Sequence, residues 1–332
     1  MTFADVVGHD AAVTRLRQAA ADGRPASAYL LLGPPGVGKR TLADAFTARL
    51  LCESPSGDDA CGTCRHCTRL AAGTHPDLHV VVRDEDRRDI RIEQARELTR
   101  WLMLRPLMAA RKVAIIDGAE CLNEHGQNAL LKTLEEPPGQ AVLLLTAPAP
   151  GLVLPTVRSR CQLVRLRPLP AAAVATVLER RGQTRAEAEA LAAEAEGSPG
   201  RALALADDTQ ARPRTLLLDA LAELGTLAAA DLSALAQSLK TGAVEALGAA
   251  VAWYRDVLGL ALGVDATPRR HPRRAPAIQA AAARLAPPAI LRQLAVVCGT
   301  LDALGRNANQ QLALETMLLE LRDVECGRAT RR

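Results

Sequence analysis

Three glycines and a lysine near the N-terminus have the spacing of a phosphate-binding loop. Gly33, Gly36, Gly38 and Lys39 lie in the segment Gly-Pro-Pro-Gly-Val-Gly-Lys-Arg-Thr. Glycines let successive backbone N–H groups turn toward a phosphate, and the start of the following helix adds partial positive charge. The lysine supplies a full charge for the outer phosphates. These residue types predict a loop for ATP or ADP, and the alternative is a glycine turn that holds no nucleotide.

The residue after the lysine departs from the usual loop. In P-loop enzymes a hydroxyl at that position ligates Mg²⁺, but here it is Arg40, and the hydroxyl comes one residue later at Thr41. One residue turns a helix by about 100°, so Thr41 is not expected to face the metal. Asp117 ends an apolar run and is placed to hold Mg²⁺, yet Gly118 follows where a hydrolysing ATPase commonly has a glutamate. The departures at 40 and 118 argue against Mg²⁺ binding and predict a degenerate ATPase.

Four cysteines in a short segment have the spacing of a metal site. They are Cys52, Cys61, Cys64 and Cys67. Thiolates with two residues between them can bind one ion from a single turn, and four sulfurs complete the tetrahedron of a structural Zn²⁺. The alternative is a set of unrelated free thiols. His66 and His75, which could also ligate metal, are predicted to be surface residues.

Apolar runs alternating with helical patterns provide the elements that position these residues. Strands are predicted at 28–32, 78–82, 113–116, 141–146 and 162–166, and helices at 10–21, 41–51, 92–104 and 123–136. Uniformly apolar strands are typical of parallel sheets, so the fold class is α/β with helices on both faces of the sheet. After Pro168 only helical patterns continue, first in a short alanine-rich region to about Ala206 and then in about five helices.

Composition limits the class of protein. The 332 residues are 48% hydrophobic and 2% aromatic, with a formal net charge of +4. A mildly basic chain permits contact with nucleic acid but does not argue for it. No apolar run reaches the ~18 residues of a membrane span, and the N-terminus lacks the pattern of a secretory signal. We therefore expect no membrane contact, and a reducing cytoplasm that keeps the thiols available for metal.

Several motifs occur in the same order in the bacterial clamp-loader family of AAA+ proteins, which this chain resembles. They are the phosphate loop, the four-cysteine insertion, Ile-Ile-Asp-Gly-Ala-Glu at 115–120, Asn-Ala-Leu-Leu-Lys-Thr-Leu-Glu-Glu-Pro-Pro at 128–138 and Ser-Arg-Cys at 159–161. Segments 253–256 and 309–315 also look like parts of that family's C-terminal collar. The resemblance implies a AAA+ P-loop domain, a helical lid and a helical collar. It further implies a subunit of the DNA polymerase III holoenzyme's loader, which uses ATP to set a ring-shaped sliding clamp on primed DNA.

The resemblance also implies roles for individual residues. Arg160 of the Ser-Arg-Cys triplet would be the arginine finger that completes the ATP site of an adjacent gamma/tau subunit. Val7 would lie in the segment that contacts the base, Thr146 at the first sensor, and Arg201 at the second sensor, which touches phosphate. The implied partners are the gamma/tau and delta subunits, with the sliding clamp met indirectly and primed DNA through the assembly.

The implied domains follow the change of pattern along the chain. Residues 1–168 would form the nucleotide-binding-type domain, with a zinc module at 52–67. Residues 169–207 would form the small helical lid and 208–326 the helical collar that assembles the oligomer. Residues 327–332 would be a tail.

Three functions compete for this sequence. The first is a non-motor loader subunit that lends Arg160 to a neighbour. The second is a catalytic loader ATPase of the gamma/tau type, which the residues at 40 and 118 disfavour. The third is a zinc-bearing DNA-binding module with a vestigial nucleotide fold, disfavoured by low aromatic content and modest charge. A basic run at 269–274 is predicted to be a mobile solvated loop, with DNA or partner contact as the alternative.

Overall fold

A computed structural model describes residues 2–84, 89–264, 274–306 and 308–327. The chain forms two compact units. The first comprises Met1–Arg185 and Gly197–Arg201, and the second comprises Ala186–Glu196 and Ala202–Arg332. Most of the predicted basic run at 269–274, and residues 328–332 of the predicted tail, lie outside the described residues.

The first unit is built on a five-stranded parallel sheet. Its strands, in chain order, are β1 Ala28–Leu32, β2 Leu78–Val81, β3 Val113–Ile116, β4 Val142–Ala147 and β5 Gln162–Arg165. Their order across the sheet is β2-β3-β4-β1-β5, and all the pairings are parallel. The carboxyl ends of β3, β4 and β1 are therefore neighbours at one edge of the sheet.

Helices cover both faces of this sheet. They are α1 Asp10–Ala21, α2 Lys39–Leu51, α3 Arg65–Ala71, α4 Ile92–Leu102, α5 Glu124–Ala129, α6 Leu131–Glu135, α7 Pro155–Arg158 and α8 Ala171–Glu179. Every residue of β1 is buried, and its side chains alternate between two cores. Leu30 packs in a core with Leu98 of α4, whereas Leu31 packs in one with Phe46 of α2. Burial on both faces explains the uniformly apolar strands.

The second unit is helical throughout its described residues. It contains all but the first residue of α9 Arg185–Glu194, the part of α10 Pro199–Ala206 that follows Arg201, and the helices α11 Asp208–Ala222, α12 Ala229–Leu239, α13 Ala243–Ala261, α14 Ala275–Arg284, α15 Pro287–Gly305 and α16 Gln310–Glu325. Trp253 and Tyr254 of α13 are buried in one large core with residues such as Val297 and Leu318. A long central helix surrounded by others explains the persistent helical periodicity of this part of the sequence.

No single helix among the described residues is long and apolar enough to cross a membrane. One bent pair, Ala275–Arg284 with Pro287–Gly305, meets that test by length and composition alone. Ile278 and Ile290 of this pair are buried in the core of the helical unit.

The predicted fold class, α/β plus all-α with a parallel sheet covered on both faces, is confirmed. Two details are wrong. The predicted helix over 123–136 is two helices, because Leu130 N donates to Gln127 O three residues back instead of continuing the α-helical pattern. The region from 208 onward has six helices in the described residues, one more than predicted. The predicted domain boundaries at 168 and 207 stay predictions.

Candidate functional site

The glycine loop joins β1 to α2 and adopts backbone angles that favour glycine. Gly36 has φ 71° and Gly38, which precedes α2, has φ 106°. A Cβ added to Gly36 would lie 2.5 Å from Ser198 Oγ. Gly36 O also accepts a hydrogen bond from Gly200 N at 2.8 Å. The loop is thus held in shape by the segment 197–201 of its own unit.

Gly33 begins the loop against the end of β5. A Cβ at Gly33 would lie 2.6 Å from Leu166 O, so no larger residue fits there without a shift. Its carbonyl accepts one of the two hydrogen bonds donated by Lys39 Nζ, at 2.7 Å, and Pro34 O accepts the other at 2.9 Å. Lys39 is therefore folded back onto the loop. Burial lowers the pKa of Lys39, and the nearby carboxylate of Glu120 opposes that effect.

Arg40 is fixed between two carboxylates. Its Nε lies 2.9 Å from Asp44 Oδ1, one turn further along α2, and its Nη1 lies 3.4 Å from Asp117 Oδ2. The other oxygen of Asp117 accepts from Thr146 Oγ1 at 2.7 Å, and Gly118 N donates to that same hydroxyl at 2.9 Å. The sheet order explains the convergence, because these residues come from the neighbouring ends of β1, β3 and β4.

These residues do not fit a Mg²⁺ ion. Magnesium requires oxygen ligands in near-ideal octahedral geometry, commonly including one or two carboxylates. The hydroxyl expected at 40 is a guanidinium, and both oxygens of Asp117 already have partners, one of them that guanidinium. Thr41 follows on α2 and is half-buried. The sequence-based argument against a Mg²⁺ site therefore has a structural cause, which is an arginine that pairs with the expected metal ligand.

Glu120 lies two residues beyond the position where a hydrolysing ATPase commonly has its acid. Burial raises the pKa of Glu120, and the Lys39 ammonium opposes that shift. Its Oε2 is buried without a hydrogen-bond donor in the part of the chain that the structure describes.

Two further predicted residues are distant from the loop in sequence but lie in segments that contact it. Val7 is half-buried, and two residues later His9 Nε2–H donates to Val37 O at 3.0 Å. Arg201 N donates to Ser198 Oγ at 3.2 Å, in the segment that contacts Gly36. Both residues therefore belong to segments that contact the phosphate loop, while their roles toward base and phosphate stay predictions.

Arg160 lies away from these groups, just after α7. Its guanidinium forms an ion pair with Glu135, its Nη1 donates to Thr156 O at 2.8 Å, and Ser159 beside it is exposed. The side chains of Arg160 and Glu135 are 33% and 49% exposed. Exposed ion pairs are weak, at about 0–1 kcal/mol, so the Glu135 carboxylate holds Arg160 only weakly.

The four predicted cysteines converge on one point. Their sulfurs all lie within 4.8 Å of one another. The Cys52–Cys61, Cys52–Cys64 and Cys61–Cys67 sulfur distances are 3.5, 3.9 and 4.0 Å. Four sulfurs about 2.3 Å from a tetrahedral ion lie about 3.8 Å apart. The cluster therefore has the geometry to bind a metal ion.

The ends of two helices bring these sulfurs together. Cys52 ends α2, Cys64 precedes α3 and Cys67 lies within it. Backbone N–H donors of Thr63 and then Cys64 lower the pKa of the Cys61 thiol to about 6, whereas burial raises that of Cys67. The thiols of Cys61 and Cys67 therefore differ in how readily they lose the proton that a bound metal displaces.

Two family models match the sequence of this chain. Residues 8–170 match the model described as DNA polymerase III, delta subunit, and residues 209–323 match the one described as DNA polymerase III, delta subunit, C terminal. The chain belongs to the DNA polymerase III delta subunit family. The first match contains the phosphate loop, the cysteine cluster and Arg160, and the second covers most of the helical unit from α11 onward.

Individual relatives of this family are similar over parts of the chain. The DNA polymerase III subunit delta' of Pseudomonas aeruginosa is 47% identical over 148 residues, which is 45% of each protein. That of Escherichia coli is 37% identical over 201 residues, 60% of each. The E. coli DNA polymerase III subunit tau is 36% identical over 168 residues, 51% of this chain and 26% of tau. The matches span about half the length of the delta' relatives.

The prediction that His66 and His75 lie at the surface is wrong. They are 2% and 5% exposed and hydrogen-bonded to each other at 2.9 Å through His66 Nδ1 and His75 Nε2. His75 Nδ1 accepts from Asp77 N, so its proton is on Nε2 and is donated to His66. Asp77, fully buried, accepts from the backbone N–H groups of Leu107, Met108 and Ala109.

Sequence reasoning missed this buried polar group because its partners are distant along the chain. Asp77 and the amides that it accepts from are 30 or more residues apart. Ser198 and Glu135 were missed for the same reason, although both lie within segments that carried the resemblance. The signal that the sequence offered was an aspartate, Asp77, directly before a predicted strand.

Proposed function

We propose that this chain is a delta-prime-like, non-motor subunit of the DNA polymerase III clamp loader. In this role it assists the ATP-driven placement of the sliding clamp on primed DNA in the cytoplasm. It contributes Arg160 in trans to the ATP site of a neighbouring gamma/tau subunit, while its own loop does not hydrolyse ATP. Gamma/tau and delta subunits are its direct partners, and the clamp and primed DNA are met through the assembly.

The ion pair between Arg40 and Asp117 is the observation that carries this proposal. Sequence identity favours delta', at 47% and 37% against 36% for a tau, but identity alone does not decide whether the loop hydrolyses ATP. A motor P-loop enzyme holds Mg²⁺ with a loop hydroxyl and a strand-end aspartate. Here the first is absent and the second is paired with an arginine, which favours the non-motor role.

Further features support the proposal that this chain lends an arginine to a neighbouring ATP site and does not hydrolyse ATP itself. The one acidic partner of Arg160 in the described contacts is Glu135, in an exposed pair, and Ser159 beside it is exposed. These features support access to Arg160 from a neighbouring subunit. The cysteine cluster holds Zn²⁺ in a structural role, because all four tetrahedral positions are taken by sulfur. We assign residues 1–168, 169–207 and 208–326 to the nucleotide-binding-type, lid and collar domains, with Thr146, Arg201 and Val7 in their family positions.

The test compares ATP hydrolysis by the isolated chain and by the reconstituted loader. The isolated chain should show no turnover above background, with or without clamp and primed DNA. Arg160→Ala should lower stimulated hydrolysis at the neighbouring site, because loss of an arginine finger costs about 10³-fold or more. Arg158→Ala, at the last residue of α7 and two residues before Arg160, is the matched control, because the side chain of Arg158 donates to Pro150 O, and it should hydrolyse as the wild type does.

Two results would overturn the proposal. One is motor-like turnover by the isolated chain, about 1 s⁻¹ or faster, which would favour the gamma/tau-type alternative. The other is unchanged stimulated hydrolysis in a loader containing Arg160→Ala. Circular dichroism of the variant chain, expected to match the wild type, separates a lost arginine from a misfolded subunit.

A further inference from the structure

The phosphate loop retains the groups that hold phosphate although it lacks those that hold Mg²⁺. Lys39 and the glycines are present, and the loop has its shape before any ligand arrives, because Gly200 N donates to Gly36 O and Ser198 Oγ donates to Pro35 O. The α2 helix behind it is 13 residues long, so its first N–H groups and its dipole face the loop. The cradle for a polyphosphate is therefore built into the chain.

Arg40 adds a second fixed cation to this cradle. Burial disfavours its charge, but Asp44 and Asp117 outweigh that cost and raise the pKa of the guanidinium. The group stays charged at any physiological pH. It pairs with Asp117, the strand-end acid that holds the metal in a P-loop enzyme, and only about a third of its side chain is exposed. A positive charge is thus already in place beside the loop, without an ion.

Lys39 can move from its present position at little cost. Its two acceptors, Gly33 O and Pro34 O, are neutral carbonyls, and a charged phosphate is a stronger partner for an ammonium group. Arg40 has the opposite character, since both of its partners are carboxylates. The lysine is the mobile ligand of this site and the arginine its stationary charge.

We propose that this loop binds the phosphates of a nucleoside di- or triphosphate free of Mg²⁺, with Arg40 supplying the positive charge that the metal supplies elsewhere. The inference concerns the chain's own loop and does not depend on the loader role, which uses Arg160. The bound nucleotide is a structural ligand, because Arg40 stands where a P-loop enzyme has its metal-binding hydroxyl and Gly118 stands where a hydrolysing ATPase commonly has its acid.

The test measures the affinity of the full chain for fluorescent ATP and ADP analogues in EDTA and in excess Mg²⁺. The wild-type dissociation constants should agree within about twofold between the two conditions, because the site offers no ligands to the metal. Arg40→Thr frees Asp117 and restores a hydroxyl, so its binding should become at least about tenfold tighter with Mg²⁺ than with EDTA. Arg40→Lys keeps a charge and should bind with little response to Mg²⁺.

Controls make each result decisive. Arg24→Thr, an exposed arginine before β1, should behave as the wild type does. Failure of the wild type to bind either analogue would overturn the inference, as would an equal response to Mg²⁺ in the wild type and Arg40→Thr. Competition by inorganic tripolyphosphate as strong as that by ATP would overturn the assignment of a nucleoside ligand. Binding is measured on the isolated chain and needs no partner subunit, so its outcome is separate from that of the loader proposal, which is tested by hydrolysis in the reconstituted loader.

Discussion

The two ends of helix α2 lie at two candidate ligand sites, and the sites differ in how their charged groups are paired. At its first turn, Arg40 pairs with Asp44 and Asp117, so positive and negative groups of the chain satisfy each other. Directly after its last residue, Cys52 joins three other thiols, and the four sulfurs lie within 4.8 Å of one another. That cluster contains no cation of the chain, and thiolates packed so closely repel one another. The comparison teaches that a side chain of the protein occupies the expected place of a metal at the first site, whereas the second has the geometry to bind an ion.

Among the variants that test this comparison, loss of one cysteine sulfur should have the largest effect on the stability of its segment. Structural zinc sites contribute on the order of 10 kcal/mol to the folding of small metal-bound segments. Cys64→Ser should therefore release Zn²⁺ and expose residues 52–67 to proteolysis, while the exposed Cys298→Ser is the control. Metal content by mass spectrometry and limited proteolysis measure both. Equal zinc in wild type and Cys64→Ser would show that the cysteine end needs no ion.

A smaller loss of stability is expected from a change at Asp77. This carboxylate lies near the cysteine segment, and backbone amides of the chain itself donate hydrogen bonds to it. Burial by itself raises the pKa of Asp77, but its three backbone donors outweigh burial, and the net shift is downward. Asp77→Asn should lower the free energy of unfolding by about 1–3 kcal/mol at pH 7, because one amide oxygen replaces the charged acceptor.

The pH dependence of this difference has a defined sign. A carboxylate whose pKa is lowered by folding contributes stability above its unfolded pKa of about 3.9, and that contribution disappears as the pH falls through the folded value. The stability gap between wild type and Asp77→Asn should therefore narrow below about pH 4. Urea unfolding gives the gap, and hydrogen exchange at Leu107, Met108 and Ala109 shows whether it is local. A gap that grows in acid would contradict the assignment.

The smallest effect should follow from removing the acid at the other end of α2. The side chains of Arg40 and Asp117 are 36% and 32% exposed, so solvent weakens their attraction, and Arg40 keeps Asp44 as a partner. Asp117→Asn should cost less than about 1 kcal/mol in urea unfolding, comparable with exposed Asp302→Asn. A loss of several kcal/mol would mean that the pair is a structural requirement and not a replacement for a metal.

The sequence determined the chemistry of both ends because their signals are local. The spacing from Cys52 to Cys67 predicts one cluster, since a short turn brings such sulfurs together. The loop from Gly33 to Lys39 is equally local, as its glycines are needed for backbone angles within the same few residues. Uniformly apolar runs such as β3 predict buried parallel strands, because the sheet is covered on both faces. The break at Leu130 between α5 and α6 was not predicted, because a single shifted backbone hydrogen bond does not change the spacing of apolar residues.

Tertiary structure alone decided which partner each charged group has. The sequence identified Arg40 as a departure from the usual loop, but the order of strands in the sheet brought Asp117, 77 residues away, within reach of its guanidinium. In the same way it paired Arg160 with Glu135 and buried His66 and His75, which look like surface residues in the sequence. The physical reason is that each residue's type fixes the chemistry of its side chain, whereas burial and charge pairing depend on which distant segments the fold brings together.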